Sequence, residues 1–207
     1  GVSAIVDPEL TNGRDPAWVA AEALAGGATA IQLVDHRQDR NGALDLATRI
    51  AELCNDEGVP LFIHGHPDMA VAVGAAGVHL GPNDLPLAAA RRVLRPWQAA
   101  GTSNASLPEA QTSWDAGADY VALGRMFATG PGSDVGVPGP EAVRLFRDLL
   151  PRGGGPPVIT VGGITAANAG QIAEAGADGI CAMAAITQAD DPRAATAGLV
   201  EAFAKDT

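Results

Sequence analysis

Gly117-Ala118-Asp119-Tyr120-Val121 joins the end of an amphipathic stretch to the start of a short β-rich run. Gly26-Gly27-Ala28-Thr29-Ala30, Gly74-Ala75-Ala76-Gly77-Val78 and Gly176-Ala177-Asp178-Gly179-Ile180 make the same join. In each, glycine ends a helix and small residues let a strand begin close beneath it. Outward from these joins, strand-type runs at residues 2–6, 30–34, 60–64, 77–80, 98–102, 119–123, 157–161 and 179–183 alternate with helix-type patterns. The spacing is about 25 residues, the rhythm of βα units. Helices are expected to start at Asp15 with Pro16 behind it, and near Gly42, Pro67, Leu85, Leu107, Pro140, Thr165 and Asp191. Most are expected to end at glycine: Gly26, Gly58, Gly74, Gly117 and Gly176. Eight such units predict a compact single-domain (β/α)8 TIM barrel over residues 1–207. The alternative, an open doubly wound sheet, usually stops at about six strands.

Composition narrows the function classes. The chain has 207 residues, 47% of them hydrophobic and 18% charged, which excludes a disordered chain. No apolar run approaches the roughly 20 residues of a membrane span. Residues 1–10 lack the pattern of a secretory signal, and the opening Gly suggests that a few native residues precede it. The net charge of −11 opposes binding to nucleic acid or to an anionic membrane. The basic residues are all Arg except Lys205, so a Schiff-base lysine is not expected. Cys54 and Cys181 fall in apolar stretches and read as buried thiols in a reducing cytoplasm.

Barrel chemistry sits at the C-terminal ends of the strands. Here that means Asp7 and residues 32–37, 64–66, 80–84, 101–106, 124–133, 162–164 and 184–186. Val161-Gly162-Gly163-Ile164-Thr165 ends one strand and opens a helix, and Ala184-Ala185-Ile186 follows the last strand. Glycine and alanine allow close backbone approach, and N–H groups at a helix start suit a phosphate. His36, His64 and His66 fall at strand ends, whereas His79 lies within a strand and reads as structural. On an extended strand His64 and His66, two apart, would face the same way. Asp84 could cap the helix that follows or hold Mg²⁺.

These motifs, in this order, resemble the thiamine phosphate synthase/TenI superfamily. The resemblance rests on Ile31-Gln32-Leu33, on Gly77-Val78-His79-Leu80-Gly81 with Asp84, and on Gly101-x-Ser103. It continues through Ala118-Asp119-Tyr120 with Gly124, Phe127 and Thr129, and through Gly162-Gly163-Ile164. It implies a synthase that joins hydroxymethylpyrimidine pyrophosphate to thiazole phosphate, with Mg²⁺ and basic residues on the leaving pyrophosphate. Asp84 is then the metal ligand, and Gln32, His36, Arg125, Thr129, Gly162, Gly163, Ala184, Ala185 and Ile186 contact substrate. His64, His66 and Ser103 are the catalytic candidates.

The chain also departs from the synthase pattern. Val34-Asp35-His36 stands for Arg-Glu-Lys, and His64-Gly65 for Asn-Asp, leaving one of the two usual Mg²⁺ carboxylates. Pro131 and Gly132 stand for Thr and Lys, and Ala184 for Ser. Losing about three charge-assisted hydrogen bonds costs about 5–9 kcal/mol unless replaced, and Arg37 and Arg125 are candidate replacements. Three readings follow: a divergent thiamine phosphate synthase; a TenI-like or other proton-transfer enzyme on a heterocycle phosphate, using His64, His66 or His36; and a non-catalytic phosphate-ligand binder. The expected partner is a small phosphorylated heterocycle, with neither nucleic acid nor membrane and with homo-oligomer formation left open.

Overall fold

The computed structural model describes residues 1–37, 39–129, 137–149 and 154–204. Its strands are β1 (Val2–Val6), β2 (Ala30–Leu33), β3 (Leu61–His64), β4 (Gly77–Leu80), β5 (Ala99–Asn104), β6 (Tyr120–Gly124), β7 (Val158–Val161) and β8 (Gly179–Ala182). All pairs are parallel, and β8 closes onto β1, giving the expected barrel. The helices are α1 (Pro16–Ala25), α2 (Arg40–Glu57), α3 (Pro67–Ala72), α4 (Leu87–Arg91), α5 (Leu107–Asp115), α6 (Gly139–Leu149) and α7 (Ala169–Glu174), with α8 (Ala184–Thr187) and α9 (Pro192–Ala204) after β8.

The repeated joins work as a shared hydrogen-bonding device. The residue just before the strand in each donates its N–H back to an adjacent strand: Thr29 to Val2, Ala76 to Leu61, Asp119 to Ala100 and Asp178 to Val158, at 2.8–2.9 Å. In the two Gly-Ala-Asp copies the carboxylate adds a second tie. Asp119 Oδ2 accepts from Ala100 N at 2.7 Å and from Arg91 Nη2 at 2.5 Å. Asp178 Oδ2 accepts from Val158 N at 2.7 Å and pairs with Arg147.

Helix α1 ends at Gly26 as expected, and other details differ from the sequence reading. At the end of α1 the left-handed glycine is Gly27 (φ 94°), while Gly26 keeps a right-handed φ of −82°. The seventh helix runs from Ala169, after a turn over residues 166–168 in which Asn168 Oδ1 accepts from Thr165 N at 2.8 Å. The short helix α8 was not expected.

Strand residues alternate between two cores. Outward residues such as Ile31, Leu33, Ile63, Val78, Val121 and Ile180 meet the alanine-rich faces of the helices in the main core. Alanine lets helices lie close, which keeps the barrel small. Inward, Ile5, Val34 and Cys181 form a second cluster with Ile159, Val161 and Met183. Burial pushes the thiols of Cys54 and Cys181 each up to about 11, so both are protonated and inert. Among the described residues, no helix is long and apolar enough to cross a membrane.

Candidate active site

Three clefts meet at the C-terminal mouth of the barrel. A central cleft of about 300 Å³ is bordered by Asp7, Gln32, His36, His64, His79 and Ser103. A cup of about 580 Å³ adjoins it, bordered by Thr129, Gly162, Gly163, Ala184 and Ala185. Ile5, Val161, Cys181 and Met183 floor both. A third cleft of about 330 Å³ holds Arg125 and Glu109 and shares Ser103 and Val161 with the first.

Two side-chain networks line the central cleft. In one, Gln32 Nε2 donates to His64 Nδ1 at 3.0 Å, leaving the His64 proton on Nε2. That nitrogen lies 3.4 Å from Asp84 Oδ2, which also accepts from Gly81 N at 2.7 Å. Burial pushes the His64 pKa down and outweighs the opposing pull of the Asp84 carboxylate, so the ring is neutral near pH 7. In the other network, His79 Nε2 lies 2.7 Å from Ser103 Oγ and its Nδ1 3.0 Å from the Tyr120 hydroxyl.

The predicted histidines separate. Gly65 (φ 71°) breaks the extended backbone, so the expectation that His64 and His66 share a face does not hold. His64 ends β3, whereas His66 precedes α3 and its Nε2 is held by Arg40 Nη1 at 3.1 Å. His66 does not line the central cleft. His36 does, and is exposed, with its ring edge toward His64 at 5.9 Å.

Arg37 and Arg125 differ in availability. Asp35 is buried and clamps Arg37 through Nε at 2.8 Å and Nη2 at 2.5 Å. Most of the Arg37 fork is therefore occupied. Arg125 is exposed and has no side-chain partner among the described residues. Pro131 and Gly132, with the rest of residues 130–136, lie outside the described residues.

Across the cup, Gly162 and Gly163 serve the fold as well as any ligand. Met126 N and Phe127 N donate to Val161 O and Gly162 O, each at 3.0 Å, binding the segment after β6 to the segment after β7. A Cβ on Gly163 would stand 2.6 Å from Phe127 O, so that glycine makes room for backbone. The backbone N–H groups of Gly163, Ala184 and Ala185 have no acceptor among the described residues and border the cup. Ile186 corrects the sequence reading: its side chain is fully buried and its N–H bonds Met183 O at 2.8 Å, so it offers the cup nothing.

Mg²⁺ is a hard cation that takes oxygen ligands. Asp84 is the carboxylate at this spot, and its Oδ2 is shared with Gly81 N–H and faces an imidazole. Position 65 lacks the second carboxylate, and even a Cβ there would stand 2.8 Å from Asp84 Oδ1. Among the described residues, no group of three His, Cys, Asp or Glu is arranged to hold a metal. Among the described residues, Asp84 is the one carboxylate at this spot that could meet Mg²⁺.

Sequence reading passed over two participants. Tyr120 was noted only as part of a motif, and Asp35 only as a departure. Inward parity on β6 and β2 was the available signal for Tyr120 and Gln32; nothing local announced the Asp35 clamp.

Comparison with known proteins adds to this geometry. Residues 2–186 match the thiamine monophosphate synthase family. The thiamine-phosphate synthase of Shouchella clausii is 37% identical over 201 residues, covering 97% of this chain and 94% of its own. That of Methanoculleus marisnigri is 38% identical over 201 residues, covering 97% and 93%. The solved thiamine phosphate pyrophosphorylase from Pyrococcus furiosus superposes with a TM-score of 0.88 at 32% identity, covering 98% of this chain and 94% of that one. A 3-hexulose-6-phosphate synthase, 20% identical with a TM-score of 0.73, shares the fold alone.

Proposed function

The chain belongs to the thiamine monophosphate synthase family, and we propose that it joins hydroxymethylpyrimidine pyrophosphate to thiazole phosphate, giving thiamine phosphate and pyrophosphate. One observation carries this reading beyond membership: two clefts share an apolar floor, one lined by polar side chains and one by open backbone N–H groups. Two ring-bearing substrates could lie there side by side.

In this scheme the pyrimidine occupies the central cleft against Ile5, Cys181 and Met183. Gln32 and His64 meet its polar edge. The bond from the methylene carbon to the pyrophosphate oxygen breaks, and the oxygen keeps the electron pair. The thiazole nitrogen then supplies the pair for the new C–N bond. Gly163, Ala184 and Ala185 hold the thiazole phosphate by N–H groups, which fixes the nitrogen facing the methylene. Arg125 and Ser103 receive the departing pyrophosphate; an Arg can grip it bidentately. His66, turned toward Arg40, is assigned no step. Arg125, a candidate replacement with no side-chain partner among the described residues, would let a chain lacking several synthase residues keep turnover.

The test is a direct assay of purified protein with both substrates and magnesium, detecting thiamine phosphate. Turnover within about a hundredfold of a typical 10 s⁻¹ supports the reading. No product from folded protein overturns it.

A further inference from the structure

The strand register places Tyr120 opposite Gly101. A Cβ on Gly101 would lie 2.0 Å from Tyr120 Cζ, so the glycine exists to admit that ring across the barrel interior. The Tyr120 ring stacks on His79 at 5.7 Å and meets Phe62 edge-on at 5.5 Å. Its hydroxyl is thereby aimed at His79 Nδ1, while His79 Nε2 is aimed at Ser103 Oγ. His79 is 4% exposed.

Burial pushes the His79 pKa down to about 3, so its imidazole is neutral and has one N–H and one lone pair. Burial also raises Tyr120 well above its usual value, keeping the phenol a donor. Two proton arrangements are then open. If Nδ1 carried the proton, Tyr120 would accept it, and the phenol proton would face no second partner among the described residues. If Tyr120 donates to Nδ1, the proton sits on Nε2 and is donated to Ser103, and the one proton left without a described acceptor is that of the Ser103 hydroxyl, which borders the clefts. A donor left unpaired inside the barrel is costlier than one that opens onto a cleft, which selects the second arrangement. Ser103 Oγ is then an acceptor toward His79, and its own O–H must point elsewhere. Ser103 borders both the central cleft and the cleft of Arg125.

We propose that Tyr120 and His79 are positioning residues that lock the Ser103 hydroxyl as a hydrogen-bond donor facing an anionic oxygen of the pyrophosphate. The anion rests on the synthase reading above; the proton arrangement does not. Ser103 touches ligand, and His79 acts through it. The Gln32–His64 pair is a separate network beside it, the His64 ring lying 5.4 Å from that of His79.

Two measurements on the full chain test the two halves. Long-range ¹⁵N–¹H NMR should find His79 in the Nε2–H tautomer. An Nδ1–H tautomer overturns the relay whatever the protein catalyses. Titration calorimetry with inorganic pyrophosphate should show Ser103→Ala binding about tenfold or more weakly, the worth of one hydrogen bond to a charged group. His79→Leu should weaken binding likewise, and His79→Gln, which keeps an amide donor at the Nε2 position, should recover most of it. Equal pyrophosphate affinity in wild type and Ser103→Ala overturns the anion contact, even with the tautomer as expected. Should the leucine variant fail to fold, the wild-type tautomer and Ser103→Ala still decide both halves. A wild type that makes thiamine phosphate but shows the Nδ1–H tautomer would sink this inference alone. No product together with the Nε2–H tautomer would sink the synthase reading and leave the relay standing.

Discussion

Replacing Gly163 by alanine separates two ideas of what that glycine does. The sequence motif suggests that its missing side chain leaves space for a phosphate, so that a side chain there would block the cup. The structure gives a different obstacle. Gly163 has φ 68°, and its added Cβ would stand 2.6 Å from Phe127 O and 2.9 Å from Phe127 C and Cβ. The left-handed conformation costs an alanine about 1–2 kcal/mol. Displacing backbone that is itself bonded to Gly162 costs about 1–3 kcal/mol more, the range for overpacking. The sum is about 2–5 kcal/mol. For a domain near 200 residues each kcal/mol moves Tm by about 2–4 °C, so the variant should melt about 5–15 °C lower. Scanning calorimetry without ligand reads this directly. A Tm within about 2 °C of wild type, with the response to thiazole phosphate abolished, would refute the backbone argument and restore the simple blocking one.

Arg125→Ala should lower synthase turnover by about 10- to 100-fold, because one charge-assisted contact to pyrophosphate is lost. Its Tm should be unchanged, since the exposed side chain has no described partner; an unaltered rate removes Arg125 from the leaving-group site. Burial alone would raise the Asp35 pKa, but the hydrogen bonds and charge of Arg37 outweigh it and hold the carboxyl below its usual value. This contribution is therefore complete above the unfolded pKa of about 4 and is lost as pH falls through the lower folded value. In urea unfolding from pH 6 to pH 2, Arg37→Ala should lose stability most at the upper end, and a deficit independent of pH would contradict the pairing. His79 runs with a depressed pKa of about 3 against about 6.5 unfolded, so the unfolded chain binds the extra proton between them. Stability should thus rise with pH across that window, by at most about 1.4 kcal/mol per unit from this residue, and His79→Gln should flatten the slope. Identical slopes in the two proteins would show that His79 titrates normally.

Much of the fold was legible because its signals are local. Glycine at the four joins, proline after Asp15 and the two hydrophobic periods depend only on nearby backbone, and the strands lie close to where these signals place them. The cup glycines were legible for the same reason, and so was the family, whose motifs are short and ordered. The site was less legible. Parity was a sound guide for Gln32 on β2, but at His66 it met a left-handed Gly65 and an Arg from α2, and it gave the wrong face. Ile186 had the right position after β8, yet the one-turn helix α8 turned its side chain into the core.

By itself the sequence determined eight βα units, the acidic character of the chain and its family, and it pointed to the glycines that border the cup. Only the tertiary structure decided which distant side chains meet inside the barrel. Tyr120 reaches His79 across 41 residues because β4, β5 and β6 are adjacent in register and Gly101 leaves a gap between them. Closure of the barrel sets that register, and closure is a property of all eight strands together, so no local pattern could announce the contact.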